Sequence, residues 1–277
     1  MTTAATLTLA DGTVVPRLGQ GTWYLGDDPG TRDIEIAALR AGIEAGLTLV
    51  DTAEMYGGGR SESLVGEAIA PVRDEVYLVD KVLPSNASAR GTIEACERSL
   101  RALGTDRIDL YLLHWPGPHP VAETVEAFEH LRGRGLIGAW GVSNLDALDL
   151  ADLPAPPLVN QVLYNPSRRG VEFDLLPAHR RRDPAITTMA YSPIEQGRLL
   201  GDPVLAEVAE GHGVDVAQVL LAWAIRDGDV VAIPKASSPE HARANARAGT
   251  LRLTPADLRR IDAAFPPPTG PAPLEML

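Results

Sequence analysis

The sequence has few features of a secreted or membrane-bound protein. It contains one cysteine, Cys96, so an internal disulfide is excluded. No apolar run approaches the roughly 18 residues that a membrane span requires. The opening stretch "MTTAATLTLADG" lacks the basic segment and apolar run of a signal peptide. We therefore expect a cytoplasmic protein with no membrane partner.

Positive charge is also scarce. The chain has 37 acidic and 25 basic residues, a formal net charge of -12. Because phosphate contacts require a basic face, we expect no nucleic-acid partner. Four histidines, His119, His130, His179 and His212, show no ligand spacing, so no metal site is predicted. The expected partner is a small-molecule substrate, and the expected state is a monomer.

Lysine is the rarest of the charged residues. Of the 25 basic residues only Lys81 and Lys235 are lysine, and each directly follows a predicted strand. Burial and neighbouring charges can tune the pKa of an amine, whereas a guanidinium stays charged. Both lysines are therefore candidates for functional positions.

A regular alternation of strand and helix patterns runs along the chain. The stretch "TLTLADGTVVPRL" predicts a hairpin with an Asp-Gly turn. After it come eight apolar runs: "RLGQGT", "LTLV", "VYLV", "IDLYLL", "LIGAWGV", "PLVNQV", "AITTMA" and "DVVAI". Segments of helical period separate most of these runs and often end at glycine.

This alternation predicts an α/β fold, a parallel (β/α)8 TIM barrel with an N-terminal β-hairpin and extra helices. We expect residues 1–277 to form one domain, with 265–277 a proline-rich C-terminal tail. The segment after "PLVNQV" has a poor helical pattern, and extra helices flank the eighth unit. A doubly wound sheet is therefore the alternative.

In such a barrel the active site lies at the carboxyl ends of the strands. Seven of the runs end in polar groups: Asp51, Lys81, His114, Ser143 with Asn144, Asn160 with Gln161, Tyr191 with Ser192, and Lys235. Each residue alone has a structural explanation, such as a turn cap or a surface ion pair. Their position at one end of one barrel favours a shared site.

Four residues are chemically complementary: Asp51, Tyr56, Lys81 and His114. A free tyrosine has a pKa of about 10, and an ammonium about 4 Å away favours the phenolate by roughly 4 kcal/mol at an effective dielectric of about 20. This predicts that Lys81 brings the pKa of Tyr56 near neutrality. Asp51 would hold Lys81, and His114 would donate to a substrate carbonyl. Such a general acid needs a hydride source, so a cofactor is implied.

Seven motifs occur in order over nearly the whole chain: "GQGTW" (19–23), "DTAEMYG" (51–57), "LHWP" (113–116), "GVSN" (141–144), "NQV" (160–162), "AYSP" (190–193) and "IPKA" (233–236). On these motifs the sequence resembles the aldo-keto reductases. The resemblance implies an NADP-dependent oxidoreductase that reduces aldehyde and ketone carbonyls of small molecules to alcohols. Tyr56 would be the general acid, Lys81 and Asp51 would lower its pKa, and His114 would position the carbonyl.

The resemblance also implies binding residues for NADP(H) and substrate. The cofactor residues would be Gly21, Thr22, Trp23, Asp51, Ser143, Asn144, Gln161, Tyr191, Ser192, Pro193, Ile194, Gln196, Ile233, Lys235, Ala236, Ser237, Ser238, His241 and Asn245. The substrate residues would be Trp23, Tyr56, His114 and Trp115. Among the cofactor residues, Tyr191 would stack on the nicotinamide.

One position departs from the family pattern. Many members have an arginine six residues after the "IPK" lysine, where this chain has His241, and Ala244 replaces an acidic residue three positions further on. Because histidine is mostly neutral near pH 7, the preference for NADP over NAD is weakened, and NAD(H) is not excluded.

Two further expectations concern function and the tail. A cofactor-binding regulatory or sensor subunit on the same fold is the alternative to an enzyme, since fold does not dictate activity. The tail "FPPPTGPAPLEML" cannot continue the preceding helix. We expect its apolar residues to pack near the pocket and to influence substrate choice.

Overall fold

The N-terminal hairpin closes one end of the molecule. The computed structural model describes residues 5–277. The hairpin strands β1 (Thr6–Thr8) and β2 (Val14–Pro16) pair antiparallel, as the Asp-Gly turn predicted. Leu9 and Val15 of the hairpin are buried in the apolar cluster that fills the barrel interior. The hairpin therefore covers the end at which the barrel strands begin.

Eight parallel strands form the barrel. They are β3 (Gln20–Gly21), β4 (Leu49–Asp51), β5 (Tyr77–Val82), β6 (Ile108–Leu113), β7 (Ile137–Ser143), β8 (Val159–Leu163), β9 (Thr187–Tyr191) and β10 (Val230–Ala232). Neighbours in the sheet follow chain order from β3 to β10. Parallel bridges Leu18↔Ala232 and Gly21↔Lys235 join the first strand to the last. This closure confirms the (β/α)8 barrel and excludes the doubly wound sheet.

Helices surround the barrel. They are α1 (Arg32–Glu44), α2 (Arg60–Ile69), α3 (Ala89–Leu103), α4 (Val121–Gly133), α5 (Ala147–Ala151), α6 (Leu175–Arg181), α7 (Pro203–His212), α8 (Val216–Ala224), α9 (Pro239–Ala248) and α10 (Pro255–Ala264). The poor helical pattern after β8 corresponds to α6, which has only seven residues. The predicted extra helices are α7 and α10. Within residues 5–277 no helix is long and apolar enough to span a bilayer.

The strands alternate between an inner and an outer face. In β6, Leu110 and Leu112 belong to the apolar cluster inside the barrel, whereas Tyr111 and Leu113 pack in the outer core beneath the helices. Since strand side chains alternate with a period of two, the residue after β6 on the inner row is His114. The same period places Asp51 above Leu49 and Lys81 above Val79.

A buried histidine lies behind β8 and β9. His179 of α6 is 1% exposed. Its Nε2 is 3.1 Å from Nδ2 of Asn160, and its Nδ1 is 2.8 Å from the hydroxyl of Thr188. Burial lowers the pKa of His179 from its ordinary 6.5 to about 4. The folded protein therefore holds this imidazole neutral in mildly acidic solution.

We predict that His179 makes stability fall with acidification. Unfolded His179 binds a proton below about pH 6.5, whereas the folded residue resists protonation down to about pH 4. The neutral, buried His179 therefore contributes fully to the free energy of unfolding above about pH 6.5. As the pH falls to about 4, the free energy of unfolding decreases by up to about 3 kcal/mol. Urea unfolding of His179→Gln should show a smaller loss of unfolding free energy between about pH 7 and about pH 4.5 than the parent.

The matched control is His130→Gln, on an exposed position of α4. It should keep the parental pH dependence. Equal pH dependence in His179→Gln and the parent would show that burial of His179 has no such effect.

Candidate active site

A cavity of about 600 Å³ opens at the carboxyl ends of the barrel strands. The predicted residues that line it are Gly21, Thr22, Trp23, Asp51, Tyr56, His114, Trp115, Ser143, Asn144, Gln161, Tyr191, Ser192, Pro193, Ile194, Gln196, Ile233, Lys235, Ala236, Ser237 and His241. Lys81 lies next to Asp51 and Tyr56 and is fully buried. The structure thus brings the four predicted catalytic residues together.

Lys81 is the centre of the polar contacts around the cavity. Its Nζ donates to Oδ1 of Asp51 at 2.6 Å, to the Thr52 carbonyl at 2.9 Å and to the Tyr56 hydroxyl oxygen at 3.2 Å. An ammonium has three donors, so all are used. Burial lowers the pKa of Lys81, but Asp51 and Tyr56 together outweigh burial and raise it above its usual value. The group therefore remains an ammonium.

Gln161 holds the other side of the carboxylate. Its Nε2 donates to Oδ2 of Asp51 at 2.8 Å and lies 3.0 Å from the sulfur of Met189. Our sequence prediction gave Gln161 only a cofactor contact and missed this bond. The alternation of side chains along a strand could have indicated this bond, because Gln161 and Asp51 both lie on the inner rows of their strands.

The backbone after β4 turns sharply beside Tyr56. Gly57, Gly58 and Gly59 have φ values of 58°, 62° and 92°. This left-handed region is readily adopted by glycine and disfavoured for other residues. The three glycines therefore let the chain turn directly after Tyr56, and α2 begins at Arg60.

The pKa of Tyr56 differs from our expectation. Burial raises it, Lys81 opposes the rise, and Asp51 adds to it, so that the net pKa lies above the usual 10. The prediction that Lys81 brings Tyr56 near neutrality is wrong, because desolvation of the phenolate outweighs the attraction of the ammonium. Tyr56 is a protonated phenol at neutral pH. Since its oxygen accepts from Lys81, its own O–H remains available to another acceptor.

His114 is a neutral imidazole beside Tyr56. The two rings meet edge to face with centroids 5.7 Å apart. Burial lowers the pKa of His114 to about 2, and the charge of Lys81 acts in the same direction. A neutral imidazole carries one N–H donor. Nδ1 is buried and has no hydrogen-bond partner among residues 5–277. Tyr56 and His114 are thus two uncharged donor groups at one wall.

A second set of polar contacts fixes the opposite wall. The Tyr191 hydroxyl donates to Oδ1 of Asn144 at 3.1 Å. Nδ2 of Asn144 donates to the His114 carbonyl at 3.2 Å and to the Ser143 hydroxyl at 3.1 Å. Asn144 has a φ of 59°, a left-handed conformation that asparagine tolerates. The ring of Tyr191 is therefore held in place beside the cavity.

The outer end of the cavity is polar and open. Lys235 is exposed, and its Nζ donates to the Ser237 hydroxyl at 2.7 Å. Ser238 caps α9 and accepts from the His241 amide at 3.3 Å. The cap residue Ser238 and Asn245, which is 8% exposed, lie on α9 rather than among the cavity-lining residues. The two lysines are therefore unlike, because Lys81 is buried and Lys235 is exposed.

Another part of the cavity lining is an apolar wall. Trp23 stacks on Tyr24 with ring centroids 4.6 Å apart, and both line the cavity. Met55 also lines it, as do Met276 and Leu277 of the tail. Tyr24 and Met55 were not predicted, although each adjoins a predicted residue in the sequence. The expectation that the tail packs near the pocket is confirmed for these two tail residues.

At one cavity this barrel holds a buried lysine, a protonated phenol and a neutral imidazole, and the last two are groups that can donate a hydrogen bond. The Aldo/keto reductase family matches residues 17–265. The chain therefore belongs to the aldo-keto reductase family, which confirms the sequence prediction. These oxidoreductases act on carbonyl groups.

Individual relatives are similar over nearly the full length. The chain is 49% identical over 273 residues to methylglyoxal reductase YeaE of Escherichia coli K12, covering 95% of each protein. An aldo/keto reductase from Klebsiella pneumoniae, solved in complex with NADP and acetate, has a TM-score of 0.95 at 45% identity, covering 99% of this chain and 100% of that chain. The thermostable aldo-keto reductase Tm1743 has a TM-score of 0.86 at 35% identity, covering 93% and 98%.

We predict that Tyr56→Phe retains the fold and cofactor binding but loses roughly 10²- to 10⁴-fold in turnover, because only the proton donor is removed. Turnover of an aldehyde and cofactor affinity should be measured on the same preparation. Tyr24→Phe removes a hydroxyl from the same cavity and is the matched control, which should keep parental turnover. Comparable turnover in both variants would contradict the assignment of Tyr56.

Proposed function

We propose that the protein is an NADPH-dependent reductase that converts small aldehydes and ketones to alcohols, with Tyr56 as the proton donor. The contact that carries this proposal is the 3.2 Å hydrogen bond from Lys81 to the Tyr56 oxygen. It leaves the phenolic O–H free at the wall of the cavity. Membership of the aldo-keto reductase family supports the same reaction.

Lys81 contributes after the proton has left. A phenolate in a buried site is costly because it has lost its hydration. The ammonium of Lys81 adjoins the oxygen on which that charge appears. Burial therefore keeps Tyr56 protonated before reaction, and Lys81 stabilises the phenolate formed during it. His114 would donate to the same carbonyl oxygen and orient it.

The cavity fits a nicotinamide cofactor. The Tyr191 ring, fixed through Asn144, offers a stacking face, and Gln161 retains a carbonyl oxygen for a carboxamide because its amide group is bound to Asp51. Lys235, Ser237 and the first turn of α9 would hold a phosphate at the outer end. When bound, the reduced nicotinamide supplies the hydride. The Klebsiella pneumoniae relatives were solved with NADP and NADPH.

The composition of the cavity wall favours uncharged substrates. The apolar wall is formed by Trp23, Tyr24, Met55 and Trp115, and the tail adds Met276 and Leu277. None of these side chains would offset the cost of burying a carboxylate or phosphate of a substrate. One relative is named a methylglyoxal reductase. We therefore propose small uncharged carbonyls, 2-oxoaldehydes among them, as the substrate class.

A panel of carbonyls tests this function. Purified protein with NADPH should lose the absorbance of the reduced nicotinamide on addition of methylglyoxal or benzaldehyde, and much more slowly with glyoxylate, which carries a charge. Cofactor binding without turnover of any carbonyl would refute the reductase and favour the regulatory subunit. That alternative has no structural observation in its support.

We predict that NADPH is preferred over NADH and that His241→Arg increases the preference. His241 lies in the first turn of α9, where an arginine would add a charge-assisted contact to a 2′-phosphate. The Kd of NADPH should fall roughly tenfold, while the Kd of NADH stays unchanged. His130→Arg, on the exposed side of α4, is the control for the added charge. Equal affinity of the parent for both cofactors would contradict the preference.

We also infer that residues 1–277 form one domain that acts as a monomer in the cytoplasm. The barrel strands and the hairpin share one apolar interior, which supports the single domain. The monomeric state and the location stay predictions from the sequence.

A further inference from the structure

We propose that Arg168 is a positioning residue that links the tail (residues 265–277) to the cofactor loop (residues 192–198), so that the cofactor loop helps to place the substrate wall. This proposal rests on the proposed function of the same cavity. It assigns a role to a residue outside the cavity lining, since Arg168 would act only through the carboxylates it binds.

The cofactor loop has an unusual backbone that must be held from outside. Ser192, Glu195 and Gln196 have φ values of 47°, 49° and 54°. Left-handed conformations of residues other than glycine are unfavourable and persist where the surroundings fix them. Since Ser192 and Gln196 line the cavity, whatever fixes this loop also shapes the cavity.

The side chain of Glu195 is the anchor of the loop. It is 4% exposed, and its Oε1 accepts from Nε and Nη2 of Arg168 at 3.1 and 3.0 Å. Arg198 donates to the same oxygen at 2.7 Å, and Asn165 donates to Oε2 at 2.7 Å. A buried carboxylate with this many donors is strongly held. Arg168 is the member of this group that also reaches the tail.

Arg168 uses its remaining nitrogen on the tail. Its Nη1 donates to Oε1 of Glu275 at 2.6 Å. On one side of Glu275, Leu274 packs against the main apolar core. On the other side, Met276 and Leu277 line the cavity. The ion pair therefore contacts the tail at the point where it enters the substrate wall.

The last residues of the tail lie at the same cavity as the proposed nicotinamide wall. Met276, Leu277 and Tyr191 all line this cavity. The tail therefore ends at the cavity that holds the ring proposed to stack on the cofactor. A shift of the cofactor loop would move Arg168 and, through it, Glu275. It would thereby move the tail residues that line the cavity.

The expected effect is moderate. The side chains of Arg168 and Glu275 are 35% and 45% exposed. A partly exposed ion pair of this kind is weak, which corresponds to a change of about two- to fivefold in an equilibrium. Such a change should affect substrates large enough to touch the tail and spare those that are not.

Kinetics of Glu275→Gln test the link. This variant removes the charge and preserves the size of the side chain. The KM of a bulky aromatic ketone should rise about two- to fivefold, with kcat and the KM of methylglyoxal unchanged. Glu210→Gln, an exposed position on α7, is the matched control and should match the parent. An unchanged ratio of the two KM values in Glu275→Gln would overturn the role in specificity.

Hydrogen exchange provides a readout that does not depend on turnover. Amides of residues 269–277 should exchange more slowly in the parent when NADPH is bound, and this protection should shrink in Glu275→Gln. A parent that binds NADPH without any change in tail exchange, or a variant with full protection, would overturn the coupling. Failure of the proposed function would instead appear as a parent without carbonyl turnover, while tail protection remained measurable.

Discussion

The site depends on one buried ammonium. Lys81 is completely inaccessible to water, and removal of a charge from water costs several kcal/mol unless partners replace the lost hydration. Asp51 supplies the opposite charge, and the Thr52 carbonyl and the Tyr56 oxygen accept the other two hydrogen bonds. Gln161 then satisfies the second oxygen of Asp51. The positions of the proposed proton donor and of a proposed cofactor contact thus follow from the need to satisfy this one charge.

The same burial decides the protonation of the groups around Lys81. Desolvation disfavours both a phenolate at Tyr56 and an imidazolium at His114. Before reaction both side chains are therefore neutral donors, and the ammonium is the fixed positive charge beside them. This arrangement suits a reaction in which negative charge develops on a carbonyl oxygen, because the donors and the charge are already in place.

Sequence reasoning predicted that Asp51, Lys81 and His114 lie close together because strand geometry leaves little freedom. Leu49 and Asp51, Val79 and Lys81 lie two residues apart on inner rows, so polar residues at strand ends must face the mouth. The net pKa of Tyr56 could not be predicted in this way, because it depends on how deeply loops and helices bury the ring. The contacts of Tyr24 and of the tail could not be predicted from hydrophobic periodicity either. Both segments lie outside regular secondary structure, where local sequence patterns do not fix positions.

The proposed proton donor Tyr56 lies in the loop after β4, but the ion pair that holds it belongs to the strands. Asp51 and Lys81 lie in β4 and β5, and both side chains are buried. The apolar wall comes from segments outside the strands, among them Tyr24 and the tail residues Met276 and Leu277. Loops and termini tolerate change more readily than barrel strands. If the proposed roles hold, substrate range can vary while proton transfer is preserved, and the ion pair of Arg168 with Glu275 joins the wall to the cofactor loop.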